Sequence, residues 1–387
     1  LGDVYKRQLM IVAIPKENFP GENRVAVNPA SVKELIKAGL SVEVESGAGK
    51  GSHISDQNYK DAGATIVEDQ VILFQSADIV LKVNHPSESE SKMLKENSIF
   101  VSLFQTTKET ETVQKLLSKK VTGFSMHLVP RTTLAQKMDA LSSQANIAGY
   151  KSVIVGATHL AVYMPLLMTA AGTIAPAKVL IIGAGVAGLQ AIATAHRLGA
   201  QVEAFDVRPE VKEQVESLGA KFVEVESSNN EGVGEGGYAK ETSEDYKKQQ
   251  ELKIKERTTK SDLVITTALI PGKPAPLLIN KEMVEDMKKG SVIMDLASEN
   301  GGNCELTKKD EIIDHNGVII DGTSNFPATM SVHASQLYAK NISSFVNYMI
   351  KEGDLNLDLE DEIISGAMFT HKGKITHQPT NKMVSNN

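Results

Sequence analysis

The sequence predicts an α/β protein with two Rossmann-like domains, each built on a mainly parallel sheet. Short apolar runs typical of buried strands alternate with amphipathic helical stretches along the chain. A second series of such units begins at Lys178. The chain, at 387 residues, is also too long for one ordinary hydrophobic core. Because alternating strands and helices produce a parallel sheet covered by helices, two such layered domains are expected.

The first series of units occupies the N-terminal part of the chain. Gly39 follows the first amphipathic stretch and is a typical helix stop. The predicted strands are 10–15, 41–45, 77–83, 98–104 and 121–128, and the predicted helices are 30–38 and 109–119.

The second series predicts five more strands, at 179–182, 202–206, 263–267, 292–296 and 318–321. A final helical stretch, 328–350, is long enough to return to the first series. We therefore expect a discontinuous first domain, 10–145 plus 328–380, with the second domain, 146–327, inserted into it. Residues 1–9 precede any coherent pattern and are expected to be a non-native prefix.

Composition excludes several classes of protein. Lys and Arg number 41 against 48 Asp and Glu, a formal net charge of −7, so no basic field attracts nucleic acid. The single cysteine, Cys304, excludes an internal disulfide framework, and no zinc-ligand spacing is present, so no metal site is predicted. Cys304 itself is expected to be structural. Residues 160–177 carry no charge, but Pro165 and Gly172 interrupt them, so a soluble chain is favoured over a membrane span.

A dinucleotide-binding fingerprint begins the second domain. An apolar strand, 179–182, leads into the run Gly183-Ala184-Gly185-Val186-Ala187-Gly188, and a helix follows. The first glycine permits the tight turn, the second lets the backbone approach a pyrophosphate, and the third allows close helix packing. The free N–H groups of the helix N-terminus attract phosphate. The spacing alone is a weak signal, but this strand and helix context makes nucleotide binding the better interpretation.

Asp206, at the end of the next predicted strand, bears on the choice of nucleotide. It lies in the range at which such domains place the acid that binds the ribose hydroxyls of NAD. A carboxylate there repels the 2′-phosphate of NADP. Arg208 leaves an alternative open, because an arginine nearby can accommodate that phosphate; we interpret it as a solvated loop charge. NAD is therefore the favoured cofactor.

A polar segment precedes the fingerprint, at 131–146. Its residues segregate at helical spacing. Met138, Leu141, Ala145 and Ala148 are predicted on one face, and Gln136, Asp139, Ser142 and Asn146 on roughly the opposite one. Two interpretations remain open: a solvated helix face, or a fixed hydrogen-bonding set for a carboxamide and a sugar.

Several segments resemble the alpha subunit of proton-translocating NAD(P) transhydrogenases. The resemblance covers nearly everything after Met10, and because no apolar segments follow, the chain looks like the split form in which the NAD(H)-binding component is a separate polypeptide. The segments that carry it are 126–150, 168–173, 183–194, 236–241, 266–276 and 301–304.

The resemblance implies an oxidoreductase that transfers hydride directly between NAD(H) on this chain and NADP(H) on a partner subunit, and is active only with that partner. It implies that Arg131, Gln136, Asp139 and Ser142 orient the nicotinamide. The implied cofactor-binding residues are Gly183, Gly185, Val186, Ala187, Gly188, Asp206, Val207, Arg208, Tyr238, Thr267, Ala268 and Leu269.

Two further expectations concern the segment around Tyr238 and the partner subunits. Tyr238 lies in a polar, glycine-rich stretch, 227–240, which the resemblance makes a lid over NAD(H), whereas composition alone favours a surface loop. The resemblance further implies an NADP(H)-binding beta subunit, membrane subunits that carry the proton, a homodimer, and a cytoplasmic location, peripheral on the inner membrane through those partners. No nucleic-acid partner is expected.

Alanine dehydrogenase is the main alternative, because its fold and N-terminal motifs are similar. Arg24 and Lys82 look like that family's substrate-binding pair. Alanine oxidation, however, needs an acid–base group near the reacting carbon, and the histidine of that family is replaced here by Gln105. Arg24 and Lys82 are therefore interpreted as structural charges, and His85 and His127 as loop or strand histidines. A non-catalytic NAD(H)-sensing module is a further alternative; it would lack the orienting set at 131–142.

Overall fold

The computed structural model describes residues 9–225, 244–270, 272–351 and 353–385. The chain divides into two compact units. The first consists of Leu1–Gln144 and Pro327–Asn387, and the second of Ala145–Phe326. Residues 1–8 of the suggested prefix lie outside the described residues.

The N-terminal segment of the first unit alternates strands and helices. Helix starts are capped as the sequence allows: Asn28 accepts a hydrogen bond from the Ser31 N–H, with Pro29 in the first turn, and Ser55 forms a capping box with Asn58. The elements are β1 (Ile11–Ile14), α1 (Pro29–Lys37), β2 (Ser41–Glu45), α2 (Asp56–Asp61), β3 (Thr65–Val67), α3 (Gln70–Ser76), β4 (Ile79–Leu81), α4 (Glu88–Met93), β5 (Ile99–Ser102), α5 (Thr110–Ser118), β6 (Thr122–Ser125) and α6 (Ala140–His159).

The second unit begins within α6 and contains the fingerprint. Its further elements are β7 (Leu167–Thr169), β8 (Gly172–Ile174), β9 (Lys178–Ile182), α7 (Val186–Arg197), β10 (Gln201–Phe205), α8 (Lys212–Ser217), β11 (Lys221–Phe222), α9 (Glu244–Thr258), β12 (Leu263–Thr266), α10 (Lys281–Glu285), β13 (Val292–Asp295), β14 (Ile312–His315) and β15 (Val318–Asp321). Among the described residues, seven strands form one sheet in the order β11-β10-β9-β12-β13-β15-β14, and all of its pairings are parallel except that of β14 with β15.

The C-terminal segment completes the first unit. It contains α11 (Ser331–Met349), β16 (Ile350–Lys351), β17 (Asp354–Leu355), α12 (Glu362–Ala367), β18 (Met368–His371), β19 (Lys374–Ile375) and α13 (Gln378–Ser385). Eight described strands of this unit form a sheet in the order β19-β18-β6-β5-β4-β1-β2-β3, parallel from β6 to β3 and antiparallel at β18 and β19. β16 and β17 form a separate antiparallel pair.

Each sheet is covered on both faces, as a parallel sheet requires. In β1, Val12 and Ile14 belong to one buried apolar cluster and Ala13 belongs to another. In β9, Ile181 belongs to one cluster and Leu180 to another. Because successive strand residues point to opposite faces, this division explains why β1 is apolar throughout and β9 is apolar after Lys178.

The predicted fold class, two Rossmann-like domains with mainly parallel sheets, is confirmed. The structure adds antiparallel strands that the pattern did not predict, at β14 and at β18 and β19. The uncharged stretch 160–177 contains the antiparallel hairpin of β7 and β8. Within the described portion of the chain, no helix combines the length and apolar character that a membrane span requires.

Candidate dinucleotide-binding site

The fingerprint lies where the strand order of the second sheet reverses. From β9 the chain proceeds to β10 and β11 on one side, and then to β12 and β13 on the other. The loops that follow β9 and β12 therefore leave the same edge in opposite directions, which opens the crevice where such sheets bind ligands. The Thr267 hydroxyl, after β12, donates to the Gly183 carbonyl oxygen, after β9, at 2.9 Å. The predicted residues of these two loops are thus in contact.

The glycines of the fingerprint have separate structural causes. Gly183 has a φ of +102°, and an added Cβ would lie 2.5 Å from the Thr267 hydroxyl. A Cβ on Gly188 would lie 1.8 Å from the Gly183 carbonyl oxygen, so the helix can approach the strand only without a side chain there. Gly185 differs, because nothing in the described chain lies within 4 Å of an added Cβ. An added Cβ at Gly185 would therefore face open space, and packing within the described chain does not require a glycine there.

Val186 and Ala187 begin helix α7, with Gly185 as the capping residue. Val186 is 39% exposed, so the helix N-terminus faces solvent. First-turn N–H groups have no intrahelical acceptor, and the helix dipole adds partial positive charge at this end. The helix start can bind a phosphate group.

Asp206 directly follows β10 and is 9% exposed. Its Oδ2 accepts a hydrogen bond from the Ala184 N–H at 2.7 Å, so the carboxylate is tied to the fingerprint turn. Its Oδ1 accepts the Arg208 N–H at 2.9 Å, a side-chain turn that positions the half-buried Val207 between them. The predicted ribose-binding acid is thus held at the fingerprint.

Arg208 is not the solvated loop charge that the sequence suggested. Its guanidinium is 18% exposed and folds back on Asp206, with Nε 2.9 Å from Oδ1 and Nη2 2.9 Å from Oδ2. This two-point geometry is the strong form of an arginine–carboxylate pair. The interpretation failed because sequence spacing does not show that an arginine two residues from a carboxylate can fold back onto it.

The loop after β12 is fixed by Asn303, which sequence reasoning left without a role. The Asn303 side chain accepts from the Ala268 N–H at 3.0 Å and donates to the Ala268 carbonyl oxygen at 2.9 Å. Leu269, the next residue, is 47% exposed. The predicted residues of this loop, Thr267 to Leu269, therefore have a defined backbone path at the crevice.

Asp295, the last residue of β13, supports Asn303 and was also missed. Its carboxylate is fully buried and accepts hydrogen bonds from the backbone N–H groups of Ala297, Asn303 and Cys304 and from two threonine hydroxyls. A buried carboxylate is stable only when several donors surround it. An aspartate within an otherwise apolar strand was the available signal.

Cys304 lies beside this carboxylate and is buried. Burial, together with the negative charge of Asp295, raises the pKa of the thiol to about 11, although hydrogen bonds to Leu306 and Thr307 act in the opposite direction. A thiol of this pKa is protonated at neutral pH and is a poor nucleophile.

The polar segment at 131–146 folds differently from the predicted helix. Helix α6 begins only at Ala140, and a 3₁₀ turn, Gln136–Met138, precedes it. Asp139 explains the break: its Oδ1 accepts the Ser142 N–H at 2.8 Å, the position of a helix N-cap. The Ser142 hydroxyl donates to Asp139 Oδ2 at 2.6 Å.

The four implied nicotinamide-orienting residues lie in the first unit. Asp139 and Ser142 are hydrogen-bonded to each other and half-buried. Gln136, in the 3₁₀ turn, and Arg131, in the loop before it, are exposed. The structure thus pairs Asp139 with Ser142. Gln136 and Arg131 lie at most eleven residues before Ser142 in the sequence. Tyr238 lies outside the described residues.

The first sheet also reverses its strand order, between β1 and β4, and a buried charge cluster lies at that reversal: Glu17, Glu22, Arg24, Lys82 and Glu90. Arg24 bonds Glu22 through Nε and Nη2, at 2.8 and 2.7 Å. Lys82 Nζ lies 2.7 Å from Glu90 Oε1 and 3.7 Å from Glu17 Oε2. Both cations that resemble a substrate-binding pair are therefore bonded to carboxylates of the chain itself.

Two carboxyl groups of this cluster have shifted pKa values in opposite directions. Burial raises the pKa of Glu22, but hydrogen bonds from Arg24 and its charge outweigh burial and hold the pKa at about 2. For Glu17, burial dominates over the charge of Lys82 and raises the pKa. The charged form of Glu22 is therefore stabilised by its surroundings, whereas that of Glu17 is destabilised.

His85 and His127 both lie in loops of this unit. His85 follows β4, with its ring centroid 4.6 Å from that of Phe19 and its Nε2 3.6 Å from Glu109 Oε2. His127 follows β6; burial, then the charges of Lys108 and Arg131, lower its pKa. A half-buried histidine whose pKa is lowered is mostly neutral at neutral pH and is a poor proton donor.

Comparison with known proteins identifies the family. The N-terminal domain described as alanine dehydrogenase/PNT matches residues 13–148, and the C-terminal domain of the same description matches residues 152–378. A Rhodospirillum rubrum protein, named as the first part of NAD(P) transhydrogenase subunit alpha, is 47% identical over 376 residues, covering 95% of this chain and 98% of that protein. The chain belongs to the NAD(P) transhydrogenase alpha subunit family. The resemblance predicted from short motifs is therefore confirmed.

Two other relatives, a transhydrogenase and an alanine dehydrogenase, differ in their sequence identity to this chain. A crystal structure described as transhydrogenase from Sinorhizobium meliloti matches with a TM-score of 0.85 at 44% identity, covering 94% of this chain and 99% of that one. An alanine dehydrogenase from Staphylococcus haemolyticus is 31% identical over 377 residues, covering 95% of each chain. The transhydrogenase alpha subunit family shares its fold with alanine dehydrogenase, but the chain is more similar to transhydrogenases.

Proposed function

We propose that this alpha subunit is the NAD(H)-binding component of a proton-translocating transhydrogenase. It transfers hydride directly between NAD(H) and NADP(H) bound on a partner beta subunit. The observation that carries the proposal is the contact of two loops at the strand reversal of the second sheet, with a helix N-terminus and a buried carboxylate beside them. Those are the groups that a dinucleotide's pyrophosphate and ribose need. Membership of the transhydrogenase family supports the reaction.

The reaction requires the protein to position the two nicotinamide rings. The hydride carries two electrons and one proton from the dihydronicotinamide carbon of NADH to the nicotinamide carbon of NADP⁺, so no separate proton is exchanged at carbon. The protein must align the rings and exclude water. We assign this alignment to Arg131, Gln136, Asp139 and Ser142, and the Asp139–Ser142 bond supports it because a mutually bonded pair holds a fixed direction. Tyr238 stays a proposed lid residue.

The buried charge cluster bears on the alternative reaction. In an alanine dehydrogenase the pair corresponding to Arg24 and Lys82 would bind a substrate carboxylate. Here both cations already bond carboxylates of the chain, and the acid–base position is occupied by Gln105. An amide cannot exchange protons usefully at neutral pH. These features support transhydrogenation without alanine oxidation.

We further propose that the subunit acts as a homodimer, located peripherally on the inner membrane through its membrane subunits. The hairpin of β7 and β8 and its approach expose a group of apolar side chains: Met168 is 73%, Tyr163 is 56% and Leu166 is 53% exposed. Grouped exposed apolar residues mark protein interfaces more often than free surface. A second copy of the chain is the proposed occupant. Met168→Asp with Tyr163→Asp should convert a dimer to monomer in light scattering, and an unchanged dimer would reject this surface.

The test is reconstitution. Purified subunit, mixed with NADP(H)-binding and membrane partner subunits, should reduce an NAD analogue at the expense of NADPH, and the subunit alone should not. Arg131→Ala and Gln136→Ala should each lower the rate far more than they lower NADH affinity, since misplacement of a reacting group by about 1 Å costs ~100-fold in rate. Robust NAD-dependent alanine oxidation by the isolated subunit would refute the proposal.

A further inference from the structure

The carboxylate of Asp206 has no acceptor capacity left. Its Oδ1 accepts from the backbone N–H and the Nε of Arg208, and its Oδ2 accepts from the Ala184 N–H and from Arg208 Nη2. An ionised carboxylate offers about four lone-pair sites, so these four donors saturate it. A ribose hydroxyl can bond this carboxylate only if one of the donors withdraws.

The four donors differ in their freedom to withdraw. The Ala184 N–H belongs to the fingerprint turn between β9 and α7, and the Arg208 N–H closes a backbone turn around Asp206. Both are fixed by the chain. The guanidinium stands at the end of a flexible side chain and is 18% exposed, so it can rotate into water and remain solvated. The Nε and Nη2 bonds are therefore the ones a ligand displaces.

We propose that Arg208 is a specificity-determining residue of the dinucleotide site, acting as an internal ligand that the ribose of NAD(H) must displace from Asp206. This inference rests on the proposed function of the site. Ribose hydroxyls donate to the carboxylate, so they replace the lost guanidinium bonds. Each NADH bound thus exchanges one set of hydrogen bonds to Asp206 for another.

The same pair rejects NADP(H). In NADP(H) the 2′-phosphate replaces one of the two ribose hydroxyls that could donate to Asp206, and it would draw the guanidinium of Arg208 to itself. Asp206 would then be left buried, without its counter-ion, and facing a dianion. An unpaired buried carboxylate is strongly unfavourable, and like charges at close range add to that cost. Arg208 therefore cannot serve both Asp206 and a 2′-phosphate, although its position alone suggests an NADP-binding arginine.

The test is a set of variants titrated with NADH and with NADPH by nucleotide fluorescence, using the whole subunit. Arg208→Gln frees the acceptors of Asp206. Lys212→Gln is the matched control, because it removes one positive charge nearby from an exposed pair with Glu224. Relative to that control, Arg208→Gln should bind NADH at least about threefold more tightly, the scale of one net hydrogen bond, and NADPH no better.

Asp206→Asn should have the opposite pattern. It weakens NADH binding, and it releases Arg208, so NADPH binding should rise above that of the native chain. The double variant Asp206→Asn with Arg208→Gln should lose this gain. Circular dichroism and thermal midpoints establish that each variant is folded. If Arg208→Gln does not fold, Arg208→Lys replaces it, because lysine keeps the positive charge but cannot form the two-point bond to Asp206.

The outcomes separate this inference from the proposed function. If the native subunit does not bind NADH, the proposed function fails. If it binds NADH but Arg208→Gln binds NADH more weakly than Lys212→Gln does, then Arg208 is a direct NAD ligand and the displacement proposal is overturned. An Asp206→Asn variant that gains no NADPH affinity would overturn it as well.

Discussion

The side chain of Asn303 pairs with the backbone of Ala268 through both of its polar atoms, at 3.0 Å from the Ala268 N–H and 2.9 Å from the Ala268 carbonyl oxygen. Its amide nitrogen also donates to the Pro276 carbonyl oxygen at 2.8 Å. The backbone N–H of Asn303 bonds to the buried Asp295. One side chain thus connects the core of the second sheet to the loop at its crevice.

Removing that side chain should loosen the loop. Asn303→Ala leaves both polar groups of Ala268 without their partner, and each such loss inside a protein costs roughly 1–3 kcal/mol. We expect lower NADH affinity together with a lower unfolding free energy, measured by fluorescence titration and by chemical denaturation.

The control for Asn303 is Asn280→Ala. Asn280 caps helix α10 by accepting the Met283 N–H, and its loss should lower stability by about 1 kcal/mol without changing NADH affinity. If the two variants affect NADH binding equally, Asn303 has no special effect on the crevice.

The sequence predicted most of the central strands because their signal is local. A buried parallel strand is a short apolar run with a turn residue after it, and β9 shows both features at once. Among the strands that were missed, β14 and β19 lie at the antiparallel edge of their sheets, and β3 and β11 lie at the opposite, parallel edge. These edge strands are short and partly exposed, so their composition resembles that of loops. β18 lies inside its sheet and is buried, so this reason does not apply to it.

The candidate site was predictable where a residue's role is local and unpredictable where it depends on distant partners. The fingerprint glycines are specified by their own turn and helix. The role of Asn303 follows from contacts with Ala268 and Asp295, 35 and 8 residues away. Helical spacing also failed at Asp139, because a side-chain cap decides where a helix starts and periodicity does not show it.

Two alanine substitutions in the fingerprint should separate binding from folding. Gly185→Ala adds a methyl group to open space, so stability should change little, while the methyl group obstructs the close approach of a pyrophosphate. Gly188→Ala places a methyl carbon 1.8 Å from the Gly183 carbonyl oxygen, so helix and strand must separate. We expect NADH binding to fall in both variants and the thermal midpoint to fall only in the second.

Equal thermal midpoints for Gly185→Ala and Gly188→Ala would contradict the packing argument. Unchanged NADH affinity in Gly185→Ala would contradict the pyrophosphate assignment.

The Cys304 thiol should react with a thiol reagent only when the chain unfolds. Because burial raises the pKa of its thiol to about 11, almost none is ionised at pH 8, and reaction with a disulfide reagent needs the thiolate. Since the sequence contains a single cysteine, any reaction reports this site. The folded chain should react slowly with Ellman's reagent, and the chain in denaturant should react rapidly and stoichiometrically. Fast labelling of the native chain would show that the region around Asp295 opens readily.

The buried pair of Glu22 and Arg24 should make the stability of the first unit depend on pH. The pKa of Glu22 in the folded chain, about 2, lies below its ordinary value of 4.5, because the hydrogen bonds and charge of Arg24 outweigh burial. A carboxyl group with a depressed pKa stabilises the folded state above its unfolded pKa, and this contribution is lost as pH falls from about 4.5 towards 2.

Glu22→Gln removes that contribution and isolates it. At neutral pH the variant should be less stable by on the order of 3 kcal/mol, the equivalent of the pKa shift and the usual cost of breaking a buried pair. The difference in unfolding free energy between native chain and variant should shrink as pH is lowered from 5 to 2, because the native carboxyl then becomes protonated on unfolding.

Glu88→Gln is the control. Glu88 pairs with Lys92 on an exposed helix surface, where solvent screens the pair, so the stability of this variant should follow that of the native chain at every pH. A Glu22→Gln deficit that does not change with pH would mean that the loss reflects packing around Arg24 rather than the charge of Glu22.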